Sequence, residues 1–590
     1  MNKILRVDLS SKTCISEELD TKIQNEYLGG KGLLAYYMYH ELPQGCDPLG
    51  ASNKLMIFCG PLTGILPGND RYVIGAKSPL TGTFSDSYGG GWFAATMRKA
   101  GYIGIIVEGV SDSLVCLKID GENAFIEEAS NMAGKGTKEV DLALPGYKVL
   151  AIGSAGENLV KYACIVSNAG KSGRSGVAGR GGLGAVMGSK KLKAIAINYK
   201  EDATADISQK NVTLKKELMK HLKEDVVPEM GIGGNLAAVD YSSKAKVFPV
   251  NNFQKGFTDK YTDLNEAAIE KVMTRKTSCH LCPAACGVGL KVATGQFTDT
   301  TTDRLEYETV AMAGSNCGNE ELGPIVKFNN LCNDYGLDTI SAGSVIAFAM
   351  ECAEKGILDY KISFGDANAQ MELLELIVKR EGVGDLLAEG VSIAAKKLGK
   401  DSELFALHVK GMELPAYDPR GSISLGLAYG TADRGGCHMR SWSIASEAFL
   451  NIDLGEEKVN PFSIEGKASL VKDLQDTNAA LWCLIVCDNL GYSVDYAIKM
   501  LAAVDIKLTE EEFLKIGERI CNLIQLYNRR EGLSREDDYL PARIYEERED
   551  TGWRIALEDY EFMLDDYYEL RRWDKNGKPS DEILKELNLK

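Results

Sequence analysis

The chain has 590 residues, 45% hydrophobic and 26% charged, an ordinary globular balance at a length that suggests about three or four domains. Acidic residues outnumber basic ones 84 to 67, a formal charge of −17, which excludes the basic footprint of a general nucleic-acid binder. The longest apolar stretches, 342–350 and 479–487, fall far short of the roughly 20 residues that cross a bilayer, so no membrane partner is expected.

The opening MNKILRVDLSSKTC has neither the apolar segment nor the cleavage site of a secretory signal, and the chain is expected to be cytoplasmic. Up to about residue 205 the texture is that of short strands. KLMIFCG, YVIGAK, IGIIVEG, LVCLKID, YKVLAIG and LKAIAINYK are apolar runs that end in turn residues. Beyond it, VTLKKELMKHLKED, ELLELIVKREG, GDLLAEGVSIAAKKLG and EEEFLKIGERICNLIQLYNRR carry helical periodicity. The loop after Ala416 divides this helical part. The chain ends in an acidic, aromatic stretch, LEDYEFMLDDYYELRRWDKNG, and a short helix. No tandem repeat is visible. The expected fold class is α+β: a β-sheet domain over 1–205, then mainly α-helical domains over 206–416 and 417–590.

Fifteen cysteines, an odd number spread along the whole chain, do not form the pattern of a disulfide framework. Cys279-His-Leu-Cys282-Pro-Ala-Ala-Cys286 is a C-x2-C-x3-C run. Thiolates this close favour an iron–sulfur cluster or zinc, and either needs a fourth ligand. His280 is poorly placed to supply it. Cys317, Cys332, Cys437, Cys483 and Cys487 are candidates, and spacing does not choose among them.

Glycine is abundant, at 61 residues, and is dense in two loops, Ser87-Tyr-Gly-Gly-Gly-Trp-Phe and Ala178-Gly-Arg-Gly-Gly-Leu-Gly. Their backbone amides are free to approach an anion, with basic side chains close by. Neither is a Walker loop: Ser189 follows Gly188, and Ile165 stands where the triplet Gly170-Lys171-Ser172 would need its first glycine. Two such loops, Arg71 and a cysteine cluster point to a phosphate-bearing cofactor.

The motifs KILRVDLSSKT, GPLTG, RYVIGAKSPLTG, AGYIGIIVEG, IGSAGENL, GRGGLGAVMGSKKLKAIA, CHLCPAACG, EYET, LCNDYGLDTISAG, GMELPAYDPRG, RGGCH and YYELRRWDKNGKP follow one another from residue 3 to about 580. In composition and order they resemble the tungsten-dependent aldehyde ferredoxin oxidoreductases. The resemblance implies an N-terminal β-sheet domain forming a base for a bis-pyranopterin, with two helical domains above it. It implies tungsten or molybdenum on the dithiolene sulfurs of two pyranopterins (tungstopterin or molybdopterin), Mg2+ bridging the pterin phosphates, and a [4Fe–4S] cluster. The cluster ligands match Cys279, Cys282, Cys286 and the distant Cys487. Cofactor-binding positions match Arg71, Tyr88, Gly90, Arg180 and Gly181, with magnesium on the carbonyls of Tyr88 and Gly181. Asn333, Gly336, Leu337 and Asp338 match one pterin motif, and Arg440 a basic residue near a pterin phosphate. The catalytic pair matches Glu308, the base, and His438, the donor to the carbonyl oxygen; Tyr307 is a weaker candidate for orienting substrate.

The implied reaction is oxidation of an aldehyde with water to the carboxylic acid, with electrons passing through the cluster to ferredoxin or an electron-transfer subunit. Acid reduction is the reverse. One branch of the family acts instead as the catalytic subunit of a multi-subunit aromatic acyl-CoA reductase. A zinc-stabilised binding protein is the non-enzymatic alternative. The resemblance leaves open a homodimer or a complex with iron–sulfur subunits; Lys327 stands where a glutamate would hold a subunit-bridging metal, so that metal is expected to be absent. The chain also departs from the family at Trp482, five positions before Cys487, where an acidic pterin contact is usual. Asn478 or Asp476 is expected to substitute, unless the pocket differs.

Overall fold

The computed structural model describes residues 2–168, 175–199, 209–232 and 234–590. The apolar runs of the first part form twelve strands in two sheets. The first sheet comprises β1 (Lys3–Asp8), β2 (Thr13–Glu18), β3 (Leu55–Phe58), β4 (Tyr72–Lys77), β5 (Phe84–Gly89) and β6 (Tyr102–Glu108). The second comprises β7 (Val115–Asp120), β8 (Asn123–Glu128), β9 (Lys148–Ala151), β10 (Ile165–Ser167), β11 (Gly176–Ala178) and β12 (Leu192–Asn198). β3 and β4 are buried along their whole length, which is why they read as continuous apolar runs rather than alternating ones. The expected change of texture at about 205 lies outside the described residues, as does the triplet 170–172.

The two sheets share one topology. The first runs β2-β1-β6-β3-β4-β5 and the second, from its other edge, β8-β7-β12-β9-β10-β11. In each, one central pair is parallel (β1 with β6, β7 with β12) and the other pairings are antiparallel. The helix Phe93–Lys99 with β6, and the helix Leu183–Ser189 with β12, match element for element at an offset of 90 residues. Gly91, Ala95, Met97 and Ile105 recur as Gly181, Ala185, Met187 and Ile195. The sequence reading saw no repeat because little more than these spaced positions coincides. The duplication places one glycine loop at the end of each half, facing the same region, over a core that both sheets share.

The remainder is mainly helical. The 21-residue helix Glu510–Arg530 has a capping box from Thr509 and Glu512, acids in its first turn and Arg529 and Arg530 in its last. The segment GDLLAEGVSIAAKKLG is two helices, Val383–Leu387 and Val391–Leu398, parted at Gly390, whose φ of 88° no helix continues. The acidic, aromatic stretch near the C-terminus is itself a helix, Leu557–Leu570, burying Tyr560, Met563, Leu564, Tyr567 and Tyr568 at three- and four-residue spacing. No helix among the described residues is long and apolar enough to cross a membrane.

A buried charge network joins the sheets to the C-terminal region. Lys31, in the first turn of helix Gly30–Glu41, pairs with Asp86 of β5 (3.0 Å) and with Asp433 (2.7 Å). Arg440 pairs with the same two carboxylates. Burial works to raise Asp86, but Arg440, Lys31 and Arg434 overcome it and hold the carboxylate far below its ordinary range. Breaking such a network leaves uncompensated charge out of water. Asp86→Asn is expected to cost about 3–5 kcal/mol of stability, read as a lowered midpoint in denaturant unfolding; an unchanged midpoint would show that the network does not hold the parts together.

Candidate active site

Around Cys279, Cys282 and Cys286 the backbone coils tightly, with Leu281 and Ala285 in the left-handed region (φ 53° and 45°). The amide of Gly91 donates to Cys279 Sγ (3.3 Å), and a Cβ on Gly90 would stand 2.9 Å from that sulfur. Cys487 is brought in from 200 residues away by its amide, which donates to the carbonyl of Gly68 (2.9 Å). All four cysteines line one cavity of about 310 Å³. Of the other fourth-ligand candidates, Cys483 donates to the carbonyl of Ala479, Cys317 to that of Met312, Cys332 lies in the core, and Cys437 is bound by Arg434. His280 also lines the cavity, with its Nδ1 3.0 Å from Asp70 and its ring edge-on to Trp92. Among the described residues no three His, Cys, Asp or Glu side chains converge on a single-ion position.

Across the same cavity stand Glu308 and His438. Glu308 lies on the short turn Tyr307–Thr309, which runs into a π-helix, Val310–Gly314. Such i→i+5 turns are rare and concentrate at functional sites. Glu308 Oε2 accepts from the amide of Ala416 (2.9 Å), while Oε1 is 3.5 Å from His438 Nε2 and has no hydrogen bond. His438 Nδ1 is likewise unpartnered. Burial pushes the Glu308 carboxyl up to about 8, and burial, with Arg180 and Arg434 nearby, holds the His438 ring well below its usual value. The pair is therefore a neutral imidazole facing a carboxyl that ionises near neutrality, each with an open polar atom. Tyr307 faces elsewhere: it is fully buried and its hydroxyl donates to the carbonyl of Ala416 (2.6 Å), bracing the peptide that holds Glu308.

Cations form the cavity floor. Arg180 is buried between the two sheets and the helical part, donating to the carbonyls of Gly436 and Glu413 (2.7 Å each) and to Asp338 (3.2 Å). Arg440 Nη1 and Arg434 Nε are buried without partners. Orphaned guanidinium N–H groups in a polar cavity suit an anionic ligand such as a phosphate. Asn333, Leu337 and Asp338 line the cavity where helix Leu322–Tyr335 ends and Thr339–Glu354 begins, with Asp338 capping the second helix. Arg71, Tyr88 and Gly90 line it too.

Two expected residues are not among those lining it. The carbonyl of Gly181 accepts from Ser78 Oγ (2.9 Å), and a Cβ there would run into Ser85. Gly336 closes helix Leu322–Tyr335 at φ 73°, its carbonyl taking the amide of Cys164 (2.8 Å). Both glycines permit close backbone packing behind the wall. The expected substitutes for the missing acidic contact also lie elsewhere: Asp476 pairs with Arg571 and Lys472, and Asn478 donates to the carbonyls of Met439 and Arg440. Asp488 adds a carboxylate to the cavity wall beside Asp70, Glu306, Glu308 and Asp338; sequence reasoning missed it, together with Arg434 and the buried network of Lys31, Asp86 and Asp433. The available signals were adjacency to Cys487 for Asp488, the RGGCH motif for Asp433 and Arg434, and the Ser87 glycine loop for Asp86.

Comparison with known proteins agrees along the whole chain. Residues 4–199 match the family model described as aldehyde ferredoxin oxidoreductase, N-terminal domain, and residues 213–589 the model for domains 2 and 3 of the same family. The chain is 37% identical to the tungsten-containing aldehyde ferredoxin oxidoreductase of Pyrococcus furiosus, covering 100% of this chain and 98% of that one. It is 29% identical to the aliphatic sulfonate oxidoreductase, WOR-like subunit, of the same organism, over 100% and 96%. Among solved structures it resembles the active site complex BamBC of benzoyl coenzyme A reductase with 1,5-dienoyl-CoA, with a TM-score of 0.85, 27% identity and coverage of 100% and 97%.

The Glu308 shift makes a signed prediction. A carboxyl raised on folding costs nothing below its ordinary value of 4.5 and progressively destabilises the protein as pH rises towards about 8. Glu308→Gln removes that cost, so its melting temperature relative to wild type should be higher at pH 8.5 than at pH 5. A difference independent of pH would mean that Glu308 is not raised.

Proposed function

The chain belongs to the aldehyde ferredoxin oxidoreductase family, and from that premise we propose that it oxidises an aldehyde with water to the carboxylic acid and passes the electrons to ferredoxin or a bound electron-transfer subunit. One observation carries the reading: four cysteines and the open Glu308–His438 pair converge on a single cavity. Cys279, Cys282, Cys286 and Cys487 would hold the [4Fe–4S] cluster. Arg440, Arg434, Arg71 and the loop at Gly90 would hold the phosphates and edges of the two pyranopterins. Of the two carbonyls expected at magnesium, that of Tyr88 accepts from Arg71 (3.5 Å) and that of Gly181 from Ser78 (2.9 Å), each with a lone pair to spare. The tungsten or molybdenum bis-pyranopterin would supply two-electron redox chemistry there, and the cluster a one-electron outlet.

The protein's own groups handle the proton and the carbonyl. Glu308 Oε1 takes the proton of the attacking water, and the His438 ring N–H steadies the carbonyl oxygen as charge develops on it. Arg180 and the Ala416 amide fix the surrounding backbone, so neither group reorients during the reaction. Ionisation of Glu308 near pH 8 makes oxidation rise with pH through that value. Its protonated form is the acid that the reverse reduction needs. A second reading, the catalytic subunit of an acyl-CoA reductase, is supported by the likeness to the benzoyl coenzyme A reductase complex. A reduced cytoplasmic setting, which keeps thiols from being oxidised, accords with either.

The test is anaerobic purification followed by an aldehyde panel with viologen as acceptor. Aldehyde-dependent dye reduction is expected; its absence, with partner subunits copurifying, would favour the second reading. Glu308→Gln should lower turnover by about 100-fold or more while retaining metal; wild-type turnover would remove Glu308 as the base. Cys487→Ser should lose or alter the reduced-cluster EPR signal and Cys483→Ser should not; the opposite result would reassign the fourth ligand.

A further inference from the structure

Trp482, where this chain departs from the family pattern, closes a ring of interactions in the cavity wall. It stands at the C-terminal end of helix Lys467–Leu481 and is 4% exposed. Its indole N–H donates to Asp488 Oδ1 (2.6 Å), and the second Asp488 oxygen takes Arg71 Nη1 (2.7 Å). Arg71 lies over the Tyr88 ring (5.9 Å), the Tyr88 hydroxyl donates to Asp86 (2.7 Å), Asp86 binds Arg440, and Arg440 lies 5.0 Å over the indole. An indole donates and cannot accept, so Trp482 does not replace a carboxylate; it grips one that the chain supplies six residues later.

We propose that Trp482 is a positioning residue which, through the Asp488 carboxylate that it holds against Arg71, sets the reduction potential of the iron–sulfur cluster carried by Cys279, Cys282, Cys286 and Cys487. The proposal rests on the cluster reading above. Asp488 directly follows Cys487, and its negative charge stabilises the oxidised cluster over the reduced one. Each donor on the carboxylate draws that charge away and favours reduction. The Arg71–Asp488 pair keeps 22% and 28% of its side chains open, so solvent screens it. The indole N–H is buried and adds a donor that screening does not remove.

The experiment is an EPR-monitored redox titration of anaerobically purified holoprotein, after measurement of iron, acid-labile sulfide and the reduced-cluster signal. Trp482→Phe keeps a ring against Arg440 but removes the donor. It should shift the potential negative, changing the oxidised-to-reduced ratio at fixed poise by about tenfold, or ~59 mV for one electron. Asp488→Asn removes the charge and should shift it positive. The double variant should match Asp488→Asn, because without the carboxylate the indole bond has no charge to compensate. A wild type without iron or cluster signal overturns the cluster reading and this proposal with it. A wild type with its cluster and a Trp482→Phe potential unchanged, or single-variant shifts that simply add, overturns this proposal alone. Should Trp482→Phe fail to assemble, Asp488→Asn decides: a wild-type potential there also overturns it.

Discussion

The structure depends on four charges held out of water. Lys31 comes from helix Gly30–Glu41, Asp86 from the edge strand β5, and Asp433 and Arg440 from the loop after helix Ile423–Thr431, and they meet where solvent is nearly excluded. Each ion alone would be costly to bury, and together they satisfy one another only in this arrangement. The network therefore fixes the C-terminal loop on the sheet base. That loop carries Arg434, His438 and Arg440, so the placement of the His438 ring, the donor we propose, and of the unpartnered guanidinium groups follows from the same constraint.

Burial opposes charge throughout this cavity, and neighbours decide which side wins. Glu308 is backed by an amide and faces a neutral ring, so burial prevails and its carboxyl is raised. Asp86 lies among three cations, which overcome burial and keep it ionised. Cys437 has burial working to raise its thiol, yet Arg434, Arg440 and Arg180 bring it below its ordinary value. A protonatable carboxyl thus lies near fixed charges, which is the separation of roles that acid–base chemistry needs.

Much of this was legible in the sequence because it depends on local spacing. The C-x2-C-x3-C run, the apolar strand runs and the long helices declare themselves within a dozen residues. Cys487 did not: 200 residues separate it from Cys286, and only the family resemblance singled it out from Cys483. Lys31 and Asp433 carry no local signal of their pairing, since nothing near them in sequence reveals a partner 402 residues away. The duplicated sheet was hidden because topology is preserved while few side chains are. The packing of Gly181 against Ser85 and of Gly336 against Gly153 depends on distant chain segments and is not visible in the glycine pattern. Asp488 was passed over because the missing acid was sought before Trp482 rather than after it.

The central claim is that four cysteines and a cation-floored cavity are built for an iron–sulfur cluster beside a tungsten or molybdenum pterin. Elemental analysis of anaerobically purified protein tests it most directly. The account predicts about four iron atoms per chain together with tungsten or molybdenum. Stoichiometric zinc, with iron, tungsten and molybdenum all lacking, would contradict it.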